Sequence, residues 1–169
     1  MKFQSFEEMQ THLGEEIAIT DWLLITQERV TRFAEITGDP DWMHVDVERA
    51  ATGPVGQTIA QGFLTLSLLT YFSHSVEFLP RNIAYAFNYG LDRVRWIVPV
   101  KVGAQIRARV VLSDLQQRGE GRHLLITTNT VEIHGERRPA MIARWLALLQ
   151  VTDGRNPALP SAPKSMLSG

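Results

Sequence analysis

The sequence predicts an α+β domain in which one antiparallel sheet folds around a long apolar helix. Three observations carry that prediction. The first half of the 169-residue chain is patterned for helices and the second half for long strands, an order that argues α+β. The segment from Ile59 to Val76 is apolar nearly all round (Phe63, Leu64, Leu66, Leu68, Leu69, Tyr71, Phe72), and a helix of that kind has to be wrapped by protein. Four later segments carry β-branched and aromatic residues or clean alternation, which suits a sheet with one face on a core.

The elements follow in chain order. Ser5 followed by Glu8 reads as a capping box, with Phe6, Met9 and Leu13 at helical spacing before Gly14. Residues 17–25 read as extended. Thr26 is an N-cap for a helix whose apolar face is Val30, Phe33 and Ala34 and which stops at Gly38. Ile25 and Val30 stand at the positions of a hydrophobic staple. A loop then carries Asp39, Pro40, Asp41, Trp42, Met43, His44, Val45 and Asp46, and Asp46 caps a further short helix to about Thr52. A link with Gly53, Pro54 and Gly56 leads to the central helix, which ends before Pro80.

Ile83 to Trp96, Gln105 to Leu112, His123 to His134 and Met141 to Val151 are the expected strands. In the second, Gln105, Arg107 and Arg109 alternate with Ile106, Ala108 and Val110. In the last, Met141, Ala143, Trp145, Ala147, Leu149 and Val151 make one apolar face. Arg118–Gly119–Glu120–Gly121 and Gly135–Glu136–Arg137–Arg138 read as the turns between them. Residues 1–152 are expected to form a single domain. Residues 153–169, with three prolines and little apolar content, are expected to form a loose C-terminal tail.

Composition excludes several function classes. Lys+Arg 17 against Asp+Glu 18 gives a net charge of −1, which points to neither nucleic acid nor an anionic membrane as partner. With no cysteine there is no disulfide framework, thiolate nucleophile or Cys-based zinc site. The N-terminal residues MKFQSFEEMQ have no apolar core of a signal peptide, and Phe63 to Phe72 is too short and too rich in Thr and Ser to span a bilayer. A cytoplasmic location is the expectation.

The chemistry concentrates between Phe33 and Tyr71. Asp39 and His44, five positions apart, offer an acid and a base, and Gly62 near the start of the apolar helix offers a backbone N–H. Together they are the parts of an acid–base site acting on a carbonyl compound. An imidazole titrates near neutrality unaided, whereas a carboxyl needs burial or a partner to approach that range. Thr58 with Gln61 reads as a capping box, which would bury the Gly62 N–H in the helix ladder. A start nearer Ala60 or Gln61 leaves it free, and the later start is the one expected. Asp39, Asp41, His44 and Asp46 match no standard ligand spacing, so neither a metal nor a redox cofactor is expected.

Residues 33–110 resemble the MaoC-like dehydratases, which include the (R)-specific enoyl-CoA hydratases. The resemblance rests on Phe33, Thr37, Gly38, Asp39 and His44. It rests also on the run Thr58 to Ser67, on Asn88 to Trp96, and on Pro99–Val100–Lys101–Val102–Gly103. Asp41 and Trp42 stand where Asn and Pro are commonest in that family. The segment Trp42–Met43–His44–Val45–Asp46 looks like the branch related to nodulation protein N. Gln61 stands where family members usually have His.

The resemblance implies a hot-dog fold, a homodimer, and interconversion of trans-2-enoyl and (R)-3-hydroxyacyl thioesters of coenzyme A or an acyl carrier. By the same resemblance Asp39 and His44 hold the reacting water, and the Gly62 N–H meets the thioester oxygen. Ser67 would sit near the acyl chain, with Trp42 and Leu64 lining that pocket, and Arg93 and Arg95 would face the coenzyme A phosphates. Two other functions remain open at this point. A hot-dog acyl-CoA thioesterase would need a carboxylate on the central helix, and residues 59–76 contain none. A non-catalytic acyl-thioester-binding protein would have no need of both Asp39 and His44.

Overall fold

Local capping signals set the helices of the first half. The computed structural model describes residues 1–152, so the tail expected over 153–169 lies outside the described residues. In α1 (Phe6–Gln10) the Ser5 hydroxyl accepts from the Glu8 N–H at 3.2 Å. The Glu8 carboxylate takes the Gln4 N–H at 2.6 Å rather than that of Ser5, so the box is offset by one residue. The helix ends before it reaches Leu13.

The extended run expected over 17–25 is two short strands, β1 (Glu16–Ile19) and β2 (Leu23–Leu24). The reason lies at Thr20, whose N–H donates to the Ala108 carbonyl while its hydroxyl accepts from the Ala108 N–H at 2.9 Å. A side-chain oxygen there replaces the main-chain carbonyl of the ladder, and regular pairing stops.

Helix α2 (Gln27–Thr37) follows the sequence reading. The Thr26 hydroxyl caps it by accepting from the Arg29 N–H, a contact worth about 1 kcal/mol. Gly38 ends it in the left-handed region at φ 67°, where a side chain would be strained. Ile25 and Val30 are fully buried in the same cluster, as a staple requires. The expected loop 39–46 contains a helical turn, α3 (Trp42–Val45), because Asp41 accepts from the Met43 N–H and caps it. Asp46 caps α4 (Val47–Ala51) through the Arg49 N–H.

The central helix α5 spans Gly62–His74, shorter at both ends than its apolar run. Ala60 donates to the Val100 carbonyl and Ile59 bridges Lys101, so the residues before Gly62 are held extended. The helix is also wrapped on one side only. Leu64, Leu68, Leu69 and Phe72 enter the main core with Ile106, Ala108, Val131, Met141 and Ala143. Phe63, 68 % exposed, begins an exposed stripe that continues through Ser67, Thr70 and His74.

The sheet has six strands: β1 and β2, then β3 (Ile83–Trp96), β4 (Gln105–Gln117), β5 (Arg122–Ile133) and β6 (Met141–Val151). Its order is β1-β4-β5-β6-β3, with β2 also on β4 and every pairing antiparallel. Strand β4 runs past the expected Leu112 through a register shift between Leu112 and Asp114. Strand β3 is an edge. Tyr85, Phe87, Tyr89, Leu91 and Trp96 on it are exposed, an apolar surface on a free ladder. Among the described residues no helix is long and apolar enough to cross a membrane.

Candidate active site

Three element ends meet beside α5. Asp39 follows the left-handed Gly38, and its N–H donates to the Ala34 carbonyl at 3.0 Å, which fixes where its side chain leaves α2. His44 lies in the single turn of α3. Gly62 is the first residue of α5, so its N–H has no carbonyl within the helix to bond.

His44 is the only titratable side chain among the described residues to be buried, at 9 % exposure. Its Nδ1 stands 2.7 Å from the Ile59 carbonyl oxygen. A carbonyl can only accept, so Nδ1 carries the hydrogen, and in the neutral form of the ring the lone pair is at Nε2. That nitrogen faces Asp39, with 4.0 Å between Nε2 and Oδ2, beyond direct hydrogen-bond length. The Asp39 side chain is 47 % exposed, so the burial that the sequence reading asked of it is absent from the single chain.

An open cleft of about 350 Å³ adjoins the imidazole. Its walls include His44, Ile59, Ala60, Gly62, Thr65, Trp96 and the segment Ile97 to Val100. The Trp96 indole donates to the Gly62 carbonyl at 2.8 Å. A Cβ on Gly62 would fall 3.0–3.3 Å from three atoms of that ring, so glycine here admits the indole. Thr65 is buried, and its hydroxyl is 3.4 Å from the Gln61 carbonyl.

Of the residues in the sequence reading, the structure brings His44 and Gly62 together in the cleft wall, while Asp39 stands 4.0 Å from His44 Nε2 and outside the lining. The other candidates are not among the residues lining the cleft. Trp42 packs on Gly53, where a Cβ would meet its ring at 3.0 Å, and lies under the Arg49 guanidinium at 4.6 Å. Leu64 points into the core. Ser67 is on the exposed stripe and its hydroxyl donates back to the Phe63 carbonyl at 2.8 Å. Arg93 and Arg95 are exposed on β3, and Arg95 bonds the Val94 carbonyl at 2.8 Å. Asp41 and Asp46 are engaged as helix caps.

Sequence reasoning missed Ile59, Thr65 and Trp96. The Ile59 contribution is a main-chain oxygen, which no side-chain pattern reveals. Thr65 was within reach: it stands one turn after Gly62, on the side of α5 that carries Leu68 and Leu69 into the core.

Residues 8–133 match the model of the MaoC like domain. The chain belongs to that family. It is 43% identical over 141 residues to the 3-hydroxyacyl-thioester dehydratase Z of Mycobacterium tuberculosis, which covers 83% of this chain and 93% of the relative. It is 42% identical over 156 residues to Nodulation protein N of Rhizobium leguminosarum bv. viciae, covering 90% of this chain and 96% of the relative. Among solved structures it resembles the (R)-hydratase of A. caviae with a TM-score of 0.64 and 20% identity, over 79% of this chain and 95% of that one. A monoamine oxidase regulatory protein of Archaeoglobus matches with a TM-score of 0.70 and 26% identity, over 87% of this chain and 94% of that one. These likenesses agree with the hot-dog fold that the sequence implied.

Proposed function

We propose that this MaoC-like protein is a hydro-lyase that interconverts trans-2-enoyl and (R)-3-hydroxyacyl thioesters, with coenzyme A esters as its substrates. The observation that carries the proposal is the buried His44 ring in the cleft wall, held by Ile59 with its Nε2 turned to Asp39 at 4.0 Å. The curated relative's name, a 3-hydroxyacyl-thioester dehydratase, supports the same reaction class.

Hydration adds one water across C2=C3. The water oxygen bonds C3 as its proton passes to a base, and negative charge gathers on the thioester oxygen. C2 then takes a proton as that charge returns, so a whole water is consumed. A gap of 4.0 Å between Nε2 and Oδ2 is one that a single substrate water spans with ordinary hydrogen bonds to both. Asp39 and His44 act as one coupled acid–base unit. The Gly62 N–H, first in its helix and backed by the positive end of the α5 dipole, meets the oxygen where charge develops.

The apolar edge of β3 and the exposed stripe of α5 support a homodimer in which a second copy covers them. The place of action is the cytoplasm. A thioesterase reading gains nothing from α5, whose sequence GFLTLSLLTYFSH has no carboxylate. The test is loss of enoyl-thioester absorbance on a short trans-2-enoyl-CoA, with wild type and Asp39→Asn side by side. Turnover by wild type alone, giving the (R)-3-hydroxy product without free thiol, is the expected result. Release of free thiol would replace this reading with hydrolysis. Inert wild type against coenzyme A and carrier-linked enoyl esters alike would leave a binding protein.

A further inference from the structure

The groups of the site sit on three separate stretches of chain, and something has to hold them in register. One turn of α2 touches two of those stretches. The Gln27 side chain donates through Nε2 to the His44 carbonyl at 2.7 Å and to the Thr31 hydroxyl at 3.2 Å. Its Oε1 accepts from the Thr58 hydroxyl at 2.6 Å. These partners fix the amide orientation, because a flipped amide would set its oxygen against the His44 carbonyl. Three residues on, the Val30 carbonyl accepts from Gln61 Nε2 at 3.2 Å. Positions 27 and 30 share a helix face. That face therefore grips both ends of the segment 58–61, which carries the Ile59 carbonyl and leads into Gly62.

Thr58 and Gln61 have the spacing of a capping box, which the sequence reading set aside for a later start of α5. The structure uses neither there: α5 has no side-chain cap, and both side chains turn to α2. Thr58 is buried at 3 % exposure, so its hydroxyl has no solvent to fall back on. The main chain completes the frame. Ile59 donates to the Met43 carbonyl at 3.0 Å, Val102 donates to the Thr58 carbonyl at 3.0 Å, and the His44 ring donates to Ile59.

We propose that Gln27, relayed through Thr58, is a positioning residue that sets the His44 imidazole against the Ile59 carbonyl and so fixes its tautomer and its distance from Gly62. The inference rests on the catalytic reading of His44. Gln27 bonds the main chain on one side of the Nδ1–Ile59 contact and Thr58 on the other. Without it the turn of α3 and the segment 58–61 are still joined, but no side chain ties both to the rigid face of α2.

The test uses Gln27→Met, which keeps length and removes all three side-chain bonds, and Thr58→Val, which removes only the hydroxyl. Displacement of a catalytic group by a fraction of an ångström to one ångström costs up to about 100-fold. Each variant is therefore expected to lose about 10- to 100-fold in kcat with KM within about twofold. The double variant should be scarcely worse than the poorer single one, since both break one linkage. The ¹⁵N signals of His44 supply a readout independent of turnover. In wild type they should report hydrogen on Nδ1 alone, and in both variants a mixture of tautomers. Unchanged kcat in a folded variant, or an Nδ1–H tautomer as pure as wild type, overturns the proposal. If Gln27→Met does not fold, Thr58→Val decides by the same signals. If wild type turns over no enoyl thioester, the hydratase reading falls while the tautomer measurement still judges the brace.

Discussion

Replacing His44 by Asn separates the chemistry of the imidazole from its structural bond. In histidine, Nδ1 is bonded to Cγ and donates to the Ile59 carbonyl at 2.7 Å. In asparagine, Nδ2 occupies the same place along the side chain and carries hydrogens, so it can keep that bond. What disappears is Nε2, the atom 4.0 Å from Asp39. An alanine would remove both and take the donor from the part-buried Ile59 carbonyl, which confuses stability with activity. A positioned general acid–base contributes about 10²- to 10⁴-fold. At 1.36 kcal/mol per decade that is about 2.7 to 5.4 kcal/mol of transition-state stabilisation. His44→Asn should therefore melt near the wild-type temperature and lose about 10²- to 10⁴-fold in kcat/KM for enoyl-thioester hydration. The assay is the initial rate of absorbance loss, beside a thermal melt of the same preparation. A His44→Asn protein that keeps more than about a tenth of the wild-type rate would refute the assignment of Nε2 as a reacting group.

Three further outcomes are open to measurement. Gly62→Ala places a Cβ 3.0–3.3 Å from the Trp96 ring and displaces its bond to the Gly62 carbonyl. We expect a loss of about 1 kcal/mol and about 2–4 °C in Tm, partly relieved when Trp96→Leu is added; an additive double variant would show that the two do not touch. Burial holds the His123 imidazole below its ordinary value of 6.5, with Glu7 opposing the shift. The unfolded chain then binds the extra proton more readily, so stability is present above pH 6.5 and is lost as pH falls through the lower folded value. His123→Phe should flatten that decline in a melting series, and an unchanged slope would assign it to other groups. Tyr89→Glu puts a charge in the exposed apolar row of β3 and should convert the proposed homodimer to a monomer in sedimentation; a mass equal to wild type would remove this row from the proposed interface.

What the sequence disclosed about the fold was whatever is encoded locally. Thr26 and Gly38 bound α2 because a cap hydroxyl and a left-handed glycine act within one turn. The ends of β3 and β6 coincide with the expected ones, since turn residues flank them. The start of α5 had two local readings, of which the expected later one is found, and a distant residue enforces it. Ala60 bonds Val100, forty positions away, and that pairing overrides the capping signal at Thr58. The α3 turn was hidden because four residues carry no period, although Asp41 was its cap. Asp39, His44 and Gly62 were legible as side chains or as a missing one. Their partners were not: the Ile59 carbonyl, the Thr58 hydroxyl on Gln27 and the Trp96 indole join positions 15, 31 and 34 apart.

The three candidate groups share one physical circumstance: each stands in a short turn or at the end of an element, where main-chain donors and acceptors lack regular partners. Asp39 comes directly after the left-handed residue that closes α2. His44 belongs to a single turn too short to satisfy its own carbonyls, so one of them is open to Gln27. Gly62 opens α5 with an N–H that the helix cannot use. A site built this way needs few buried charges, which fits His44 being the one buried titratable side chain among the described residues. It also predicts a division of labour between kinds of substitution. Changes at Leu68 or Phe72 in the helix interior remove packing and should cost stability first. Changes at Gln27, Thr58 or Trp96 act on the junctions and should cost rate before they cost fold.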